Sequence, residues 1–291
     1  MNWKTISIFI SSTFNDMQSE RDYIRKFVIP RLSEELSSYK IYLQVTDLRW
    51  GIDTHETDEN EREAKVLHVC MNAIRNNRPY FIALLGERYG WVPPLNRVRS
   101  VVNSLAPEEQ ILLGKIDEAK SVTEMEILLG AIGSSELLPH SFFCFRGKKS
   151  YDNMEMEERK LYIDAFSDND EIQRHAQKLE SLKNKIKDQC RDVEKKDNLL
   201  YYDVEWDGKE HKFTGFDQFG EELYQLLLKD ILFDIEAEKE EKSSLEMEKF
   251  YFDSFVTSHL EDFKGRKALI DKLINFLLDS RSVSTILDGL N

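Results

Sequence analysis

The sequence predicts an α/β fold, a parallel sheet with helices on its faces. Three observations carry this expectation. Short apolar runs of strand length occur at Thr5 to Ile10, Tyr80 to Leu85 and Ser141 to Phe145. Segments with helical periodicity separate them. The order strand, helix, strand, helix, strand at this spacing is that of βαβ units.

In the first run Ile6, Ile8 and Ile10 alternate with Thr5, Ser7 and Phe9, apolar enough for a strand buried in a parallel sheet. It stops on Ser11, Ser12 and Thr13. Phe14 and the cap candidate Asn15 follow, with Gln18 three residues on where a capping-box partner belongs. The first helix then places Ile24, Phe27, Val28, Leu32 and Leu36 on one face, and Pro30 inside it predicts a kink or split near Lys26. A strand that ends in small polar residues and turns into a helix sets backbone N–H groups at the carboxyl edge of the sheet. That is the ligand edge of open α/β sheets, and N–H groups favour anions there.

The second strand spans Tyr39 to Val45. It runs into Thr46 to Asp53, where Arg49 and Trp50 sit beside Gly51, and then into an acidic stretch ending at Glu63. A helix over Ala64 to Asn76 turns Val66, Val69, Cys70 and Ala73 to one face. After the third strand, Gly86 to Pro94 forms a rigid aromatic loop. A longer connection over 95–120 holds a short helix at Pro107 to Gly114. Ser121 or Thr123 caps a helix reaching Ile132, and Glu124 and Glu126 suit its positive first turns. Ser141 to Phe145 is the fourth strand. Residues 150–197 are charged, with an apolar stripe of Leu179, Leu182, Ile186 and Val193, the pattern of a long helix or helical hairpin with a solvated face. The functional reading of that insertion is self-association. Leu199 to Trp206 is the fifth strand, Asp207-Gly208 a turn, and His211 to Thr214 a short strand pairing back. Phe216, Phe219, Leu223, Leu226 and Leu227 open a helix running to about Ile235.

The remainder organises as a tail. Residues 236–262 form an acidic helical linker, with six Glu against two Lys over 236–248. Helical patterns at Phe250 to Leu260 and Lys267 to Leu278 flank a turn at Phe263-Lys-Gly-Arg266, and Ser282 to Asn291 has the pattern of a strand entering a turn. The 291 residues, 41% apolar, suit about two domains. A net charge of −14 argues against non-specific nucleic-acid binding, which needs Lys and Arg on phosphates. No run of ~18 apolar residues and no basic-then-apolar leader occurs, so neither a membrane span nor a secretion signal is expected. Cys70, Cys144 and Cys190 are few and widely spaced, as reduced thiols of a cytoplasmic protein are. The six histidines show no ligand spacing, so they are assigned to structure and no metal site is expected.

Three loops converge at the expected carboxyl edge: Ser11 to Asp16, Asp47 to Asp53 and Gly86 to Trp91. Together with the helix after Ser121 they offer hydroxyls, glycines for close approach, aromatic faces and carboxylates, a set suited to a nucleotide. The chain lacks GxGxxG, HExxH, a complete P-loop and a Ser/His/Asp order. Arg49 and Trp50 can equally form a cation–π pair that locks their loop.

The blocks Ile8-Phe-Ile-Ser-Ser-Thr-Phe-Asn-Asp-Met-Gln-Ser-Glu-Arg-Asp22, Asp47-Leu-Arg-Trp-Gly51, Gly86-Glu-Arg-Tyr-Gly-Trp-Val-Pro93 and Ser121-Val-Thr-Glu-Met-Glu126 resemble the TIR-like N-terminal domain of NACHT/STAND (NLR-like) ATPases. Such domains occur in animals in proteins of the vault telomerase-associated and nephrocystin-3 type, and in bacterial antiphage proteins. The resemblance covers about residues 4–235, and Phe263-Lys-Gly-Arg266 is similar to the F-x-G-R preceding a STAND ATPase. It implies a TIR-like domain over 1–235 with a helical insertion at about 150–197, and the start of a truncated ATPase domain over 263–291. It implies a five-stranded flavodoxin-like sheet. For function it implies NAD+ cleavage with nicotinamide release on oligomerisation, with Glu126 as first catalytic candidate and Glu124 as second. The aromatic of the family's W-x-x-x-E-like block is Val122 here. Substrate contacts fall to Ser11, Ser12, Phe14, Arg49, Trp50, Gly86, Arg88 and Tyr89. An arginine can hold a pyrophosphate bidentately and an aromatic ring can stack on a base. NAD+ is then a substrate, ATP belongs to the missing downstream domain, and the domain partners with further copies of itself. Two alternatives stand beside this: a non-catalytic signalling and assembly domain, and a nucleoside-processing enzyme of the deoxyribosyltransferase type.

Overall fold

A computed structural model describes residues 3–47, 72, 74, 80–103, 105–113, 119–191, 198–241 and 244–261. The chain divides into two compact units, one of Ile6–Glu240 and one of Met1–Thr5 with Glu241–Asn291.

The larger unit is built on five strands: β1 (Lys4–Ser12), β2 (Ile41–Thr46), β3 (Tyr80–Leu85), β4 (Ser141–Arg146) and β5 (Leu199–Tyr202). They form a parallel sheet in the order β2-β1-β3-β4-β5, the flavodoxin-like arrangement. Alternation along β3 assigns the two faces. Tyr80, Ile82 and Leu84 join one core with Ile6, Ile8 and Ile10 of β1. Phe81, Ala83 and Leu85 join the other with Phe9, Phe143 and Phe145. Side chains of a strand point alternately to opposite faces, so a strand covered on both sides reads as a continuous apolar run.

The first face is covered by α1 (Gln18–Tyr23), α2 (Ile29–Ser37) and the later helix α8 (Asp217–Glu241). The second is covered by α3 (Leu95–Val102), α4 (Pro107–Leu113), α5 (Val122–Ile127) and α7 (Asp170–Arg191). The insertion supplies a short α6 (Met156–Tyr162), a 3₁₀ turn at Asp164–Phe166 and α7. In the smaller unit α9 spans Ser244–Glu261 and exposes Phe250, Phe252 and Phe255.

Several expectations are corrected. β1 continues through Ser11 and Ser12, which pair with Ala83 and Leu84 in the ladder. Asn15 is not a cap: α1 starts at Gln18, with Met17 before it and no side-chain cap. The split expected near Lys26 from Pro30 is there, as a π-helical turn over Ile24–Val28 between α1 and α2, with Pro30 at the start of α2. The wider turn leaves Ile24, Val28, Leu32 and Leu36 buried and turns Phe27 outward, 59% exposed and against Tyr23. The strand expected over Leu199 to Trp206 breaks after Tyr202. Glu205–Asp207 (β6) pairs antiparallel with Lys212–Thr214 (β7) as a separate hairpin. α3 had no counterpart in the sequence reading. The Asp47 to Asp53 loop beyond Asp47, the Ala64 to Asn76 helix except residues 72 and 74, and the tail 263–291 lie outside the described residues. No described helix is long and apolar enough to cross a membrane.

Candidate functional site

Between β1 and β3 the strand order reverses, since β2 lies on the outer side of β1 and β4 beyond β3. Loops leaving the carboxyl ends of such neighbours diverge and leave a crevice. A cavity of about 410 Å³ opens there. It is lined by the β1 loop (Ser12 to Asp16), the β3 loop (Arg88, Gly90 to Val92), α5 (Val122, Thr123, Glu126) and the insertion (Asp164, Glu171, Ile172, His175).

The end of β1 anchors the floor. Ser11 Oγ donates to Glu126 Oε2 at 2.5 Å, both side chains being buried. This bond joins residues 115 apart in sequence and ties α5 to the end of the strand. Ser12 Oγ accepts from Arg21 Nε at 2.6 Å and donates to the Thr13 carbonyl at 2.7 Å. Arg21 also forms a buried ion pair with Asp47 at the end of β2, and its guanidinium lies 5.6 Å from the Phe14 ring centroid.

The β3 loop closes against it. Gly90 has φ +94°, and a Cβ there would lie 2.9 Å from Thr13 Cγ2, so the two loops touch because this residue has no side chain. Val122 N donates to the Trp91 carbonyl at 3.0 Å. Ser121 Oγ caps α5 by accepting from Glu124 N at 3.2 Å. The Tyr89 N–H donates to Asp164 Oδ2 at 2.7 Å, and its hydroxyl bonds the Glu124 carboxylate. Burial and that carboxylate push the Tyr89 phenol up. Arg88 donates to the Leu161 carbonyl at 2.6 Å and faces Asp164 at 3.6 Å. Phe14 and Trp91 remain 44% and 39% exposed, two aromatic faces at the rim.

Charges behind the cavity form a buried cluster. Arg146 at the end of β4 donates to Glu20 Oε1 at 2.6 Å, to the Asp16 carbonyl at 2.9 Å and to the Tyr151 hydroxyl at 3.0 Å. The Tyr202 hydroxyl donates to Glu20 Oε1 at 3.0 Å. Among the described residues neither Asp16 carboxylate oxygen has a hydrogen-bond partner, and Arg146 Nη2 stands 3.7 Å from one of them. Desolvation raises the Asp16 and Glu20 carboxyls above their ordinary range, outweighing Arg146. Burial also raises the Asp164 carboxyl and lowers the His175 imidazole. At the opposite, amino edge of the sheet, His140 Nδ1 lies 2.9 Å from Asp230 and 3.3 Å from Asp234, while the Tyr80 hydroxyl donates to Asp234 at 2.5 Å. These three acidic and imidazole groups have metal-capable spacing, which the histidine reading did not foresee.

Among the sequence candidates, Ser12, Phe14, Arg88 and Glu126 line the cavity, and Ser11 stands behind Glu126. Glu124 and Tyr89 bind each other away from the lining. Gly86 lies under the loop, where a Cβ would meet Met17 Cε at 2.5 Å and the Tyr151 hydroxyl at 2.9 Å. Arg49 and Trp50 lie outside the described residues. Sequence reasoning placed Asp16 and Trp91 in its edge loops without singling them out, and missed Arg21, Asp164 and His175 as wall residues. Arg21 and Asp16 carried a faint signal, as charges in the first turns after a ligand-edge strand. Asp164 and His175 carried none, being far from that edge in sequence.

The family described as "Domain of unknown function (DUF4062)" matches residues 7–223. Mouse telomerase protein component 1 is 36% identical over 126 residues, 43% of this chain and 4% of that protein. Its rat counterpart is 42% identical over 92 residues, 32% of this chain and 3% of the relative. Human NACHT and WD repeat domain-containing protein 2 is 32% identical over 124 residues, 42% of this chain and 7% of the relative. The chain thus spans a small fraction of these relatives' own length. No solved structure matches it.

Proposed function

This chain belongs to the DUF4062 family, and on that footing we propose that it is a TIR-like effector module of a NACHT/STAND (NLR-like) protein that cleaves NAD+ when oligomerised. One observation carries this reading: the Glu126 carboxylate lines a cavity of about 410 Å³ at the sheet's switch point, held there by Ser11. That volume falls within the ~300–1,000 Å³ of small-molecule sites. The NACHT name borne by one relative supports the larger context.

The chemistry suits the walls. Cleavage breaks the bond between ribose C1′ and the nicotinamide nitrogen. The electron pair leaves with nicotinamide, and positive charge develops on the ribose. A carboxylate fixed beside that carbon stabilises the charge. Asp16, Asp164 and Glu171 add acidic wall on the side of a cationic nicotinamide, and Arg88 offers a guanidinium to the phosphates. Phe14 and Trp91 offer faces for base stacking. The role fits a cytoplasmic module of antiviral or innate immune defence that self-associates through this domain and a downstream ATPase.

The test is NAD+ turnover by the full-length oligomerised protein. Wild type releases nicotinamide, and Glu126→Gln loses that release while keeping its fold by circular dichroism. An inert wild-type oligomer removes the enzymatic reading. The Ser11–Glu126 bond also favours a second one, in which the glutamate is an anchor and the domain a non-catalytic signalling and assembly module. There Glu126→Gln weakens folding and self-association, and no nicotinamide appears from either protein.

A further inference from the structure

The insertion between β4 and β5 reaches the cavity, and this changes what it is for. Its 3₁₀ turn and α7 contribute Asp164, Glu171, Ile172 and His175 to the wall that faces Glu126 and the β1 loop. The connection is tied in place. Asp164 N donates to the Glu87 carbonyl at 3.0 Å, Asp164 Oδ2 accepts from the Tyr89 N–H, and Lys183 of α7 bonds Glu87 at 2.8 Å. These bonds fix the charged insertion to the loop that closes the crevice.

Within that wall His175 has a distinctive environment. It is partly buried, it packs on the Tyr89 ring with centroids 5.4 Å apart, and its ring nitrogens make no hydrogen bond to any described residue. His140, by contrast, places its Nδ1 2.9 Å from Asp230. We infer that His175 is a further catalytic residue, the general base that takes a proton from the water attacking ribose C1′. This inference rests on the NAD+ reading above.

The step balances without another reagent. The C1′–N bond breaks and its electron pair departs with neutral nicotinamide. A water oxygen forms the new bond to C1′, and one of its protons passes to a His175 ring nitrogen, later to be returned to solvent. Glu126 stabilises charge on the ribose and His175 handles the proton, which divides the labour between α5 and the insertion. The groups facing His175 are Asp164 from the 3₁₀ turn, Tyr89 from the β3 loop, and Glu171 and Lys178 on its own helix. Burial, the largest of these influences, lowers its proton affinity, so the imidazole is neutral and able to accept a proton at pH 7.

Water capture and nicotinamide exchange separate this role from a structural one. Exchange of labelled nicotinamide into NAD+ breaks and remakes the same bond but needs no water deprotonated. In an activated wild-type preparation both reactions run. In His175→Gln and His175→Asn, hydrolysis falls by about 10²–10⁴-fold, the usual worth of a general base, while exchange continues. The wild-type ratio of hydrolysis to exchange falls as pH drops through protonation of His175, below the ordinary histidine value of 6.5, and is flat in the variants. If both variants hydrolyse NAD+ like wild type, or lose hydrolysis and exchange equally, His175 is not the base although the NAD+ reading stands. If wild type shows neither reaction, that reading falls and this inference falls with it.

Discussion

The shortest link between the cavity and the sheet is the bond from Ser11 to Glu126. Removing the hydroxyl leaves a buried carboxylate short of a donor, which costs about 1–3 kcal/mol. Ser11→Ala is therefore expected to lower unfolding free energy by that amount in a urea titration, and a change below a few tenths would show that the bond holds nothing. The Asp16, Glu20 and Arg146 cluster obeys different arithmetic. Taking away one partner of a buried pair strands the other, so Arg146→Met is expected to destabilise by about 3–5 kcal/mol in the same assay. The cluster also sets a pH dependence. Both carboxyls are raised in the folded state, so the fold binds their protons more tightly than the unfolded chain does. Their stabilising contribution is fully present below the unfolded values of 3.8 and 4.5, and is lost as pH rises through the raised ones. Asp16→Asn is expected to flatten the decline in stability between mildly acidic and neutral pH. An unchanged slope would remove Asp16 as its source.

At the scale of elements, the π turn over Ile24–Val28 decides which residues hold the first helical segment to the sheet. A regular helix would bury Phe27 with its neighbours, whereas here Leu32 is fully buried and Phe27 is not. Leu32→Ala is expected to cost about 2–5 kcal/mol, and Phe27→Ala to stay within about 0.5 kcal/mol. Equal losses by thermal melts would restore the regular helix. The β3 loop depends on one backbone choice. Gly90 occupies the left-handed region and leaves no space toward Thr13, so Gly90→Ala is expected to cost at least about 1–2 kcal/mol, read as a lower melting temperature.

For the whole molecule, the division after Glu240 makes a prediction about cooperativity. Among the described residues, the members of both cores all fall within that unit. A chain ending at Glu240 is expected to keep a single cooperative transition, its midpoint within about 4 °C of the full chain, the shift that ~1 kcal/mol produces in a domain of this size. Loss of cooperative unfolding would show that residues after 240 belong to the same folding unit.

Strand identity and order of elements were legible in the residues. Ile6, Ile8 and Ile10, the run Tyr80 to Leu85, and Ser121 with its capped turn each carry a local signal strong enough to override context. The two edge loops and Glu126 were legible for the same reason, because a strand followed by a helix start is a local pattern. Where local and long-range preferences meet, the pattern misled: Phe27 by one π turn, Asn15 by a helix that began later, and Leu199 to Trp206 by a break that lets β6 pair with β7. By itself the sequence determined a parallel α/β sheet with a hydroxyl-rich, acidic carboxyl edge. Only tertiary structure decided that the charged insertion walls the crevice with Asp164 and His175, that Arg21 and Asp16 line it, and that Arg146 stands behind Asp16. Periodicity records which face of an element avoids water. Convergence of residues 75 or 115 positions apart, as in Tyr89 with Asp164 and Ser11 with Glu126, is set by how whole elements pack.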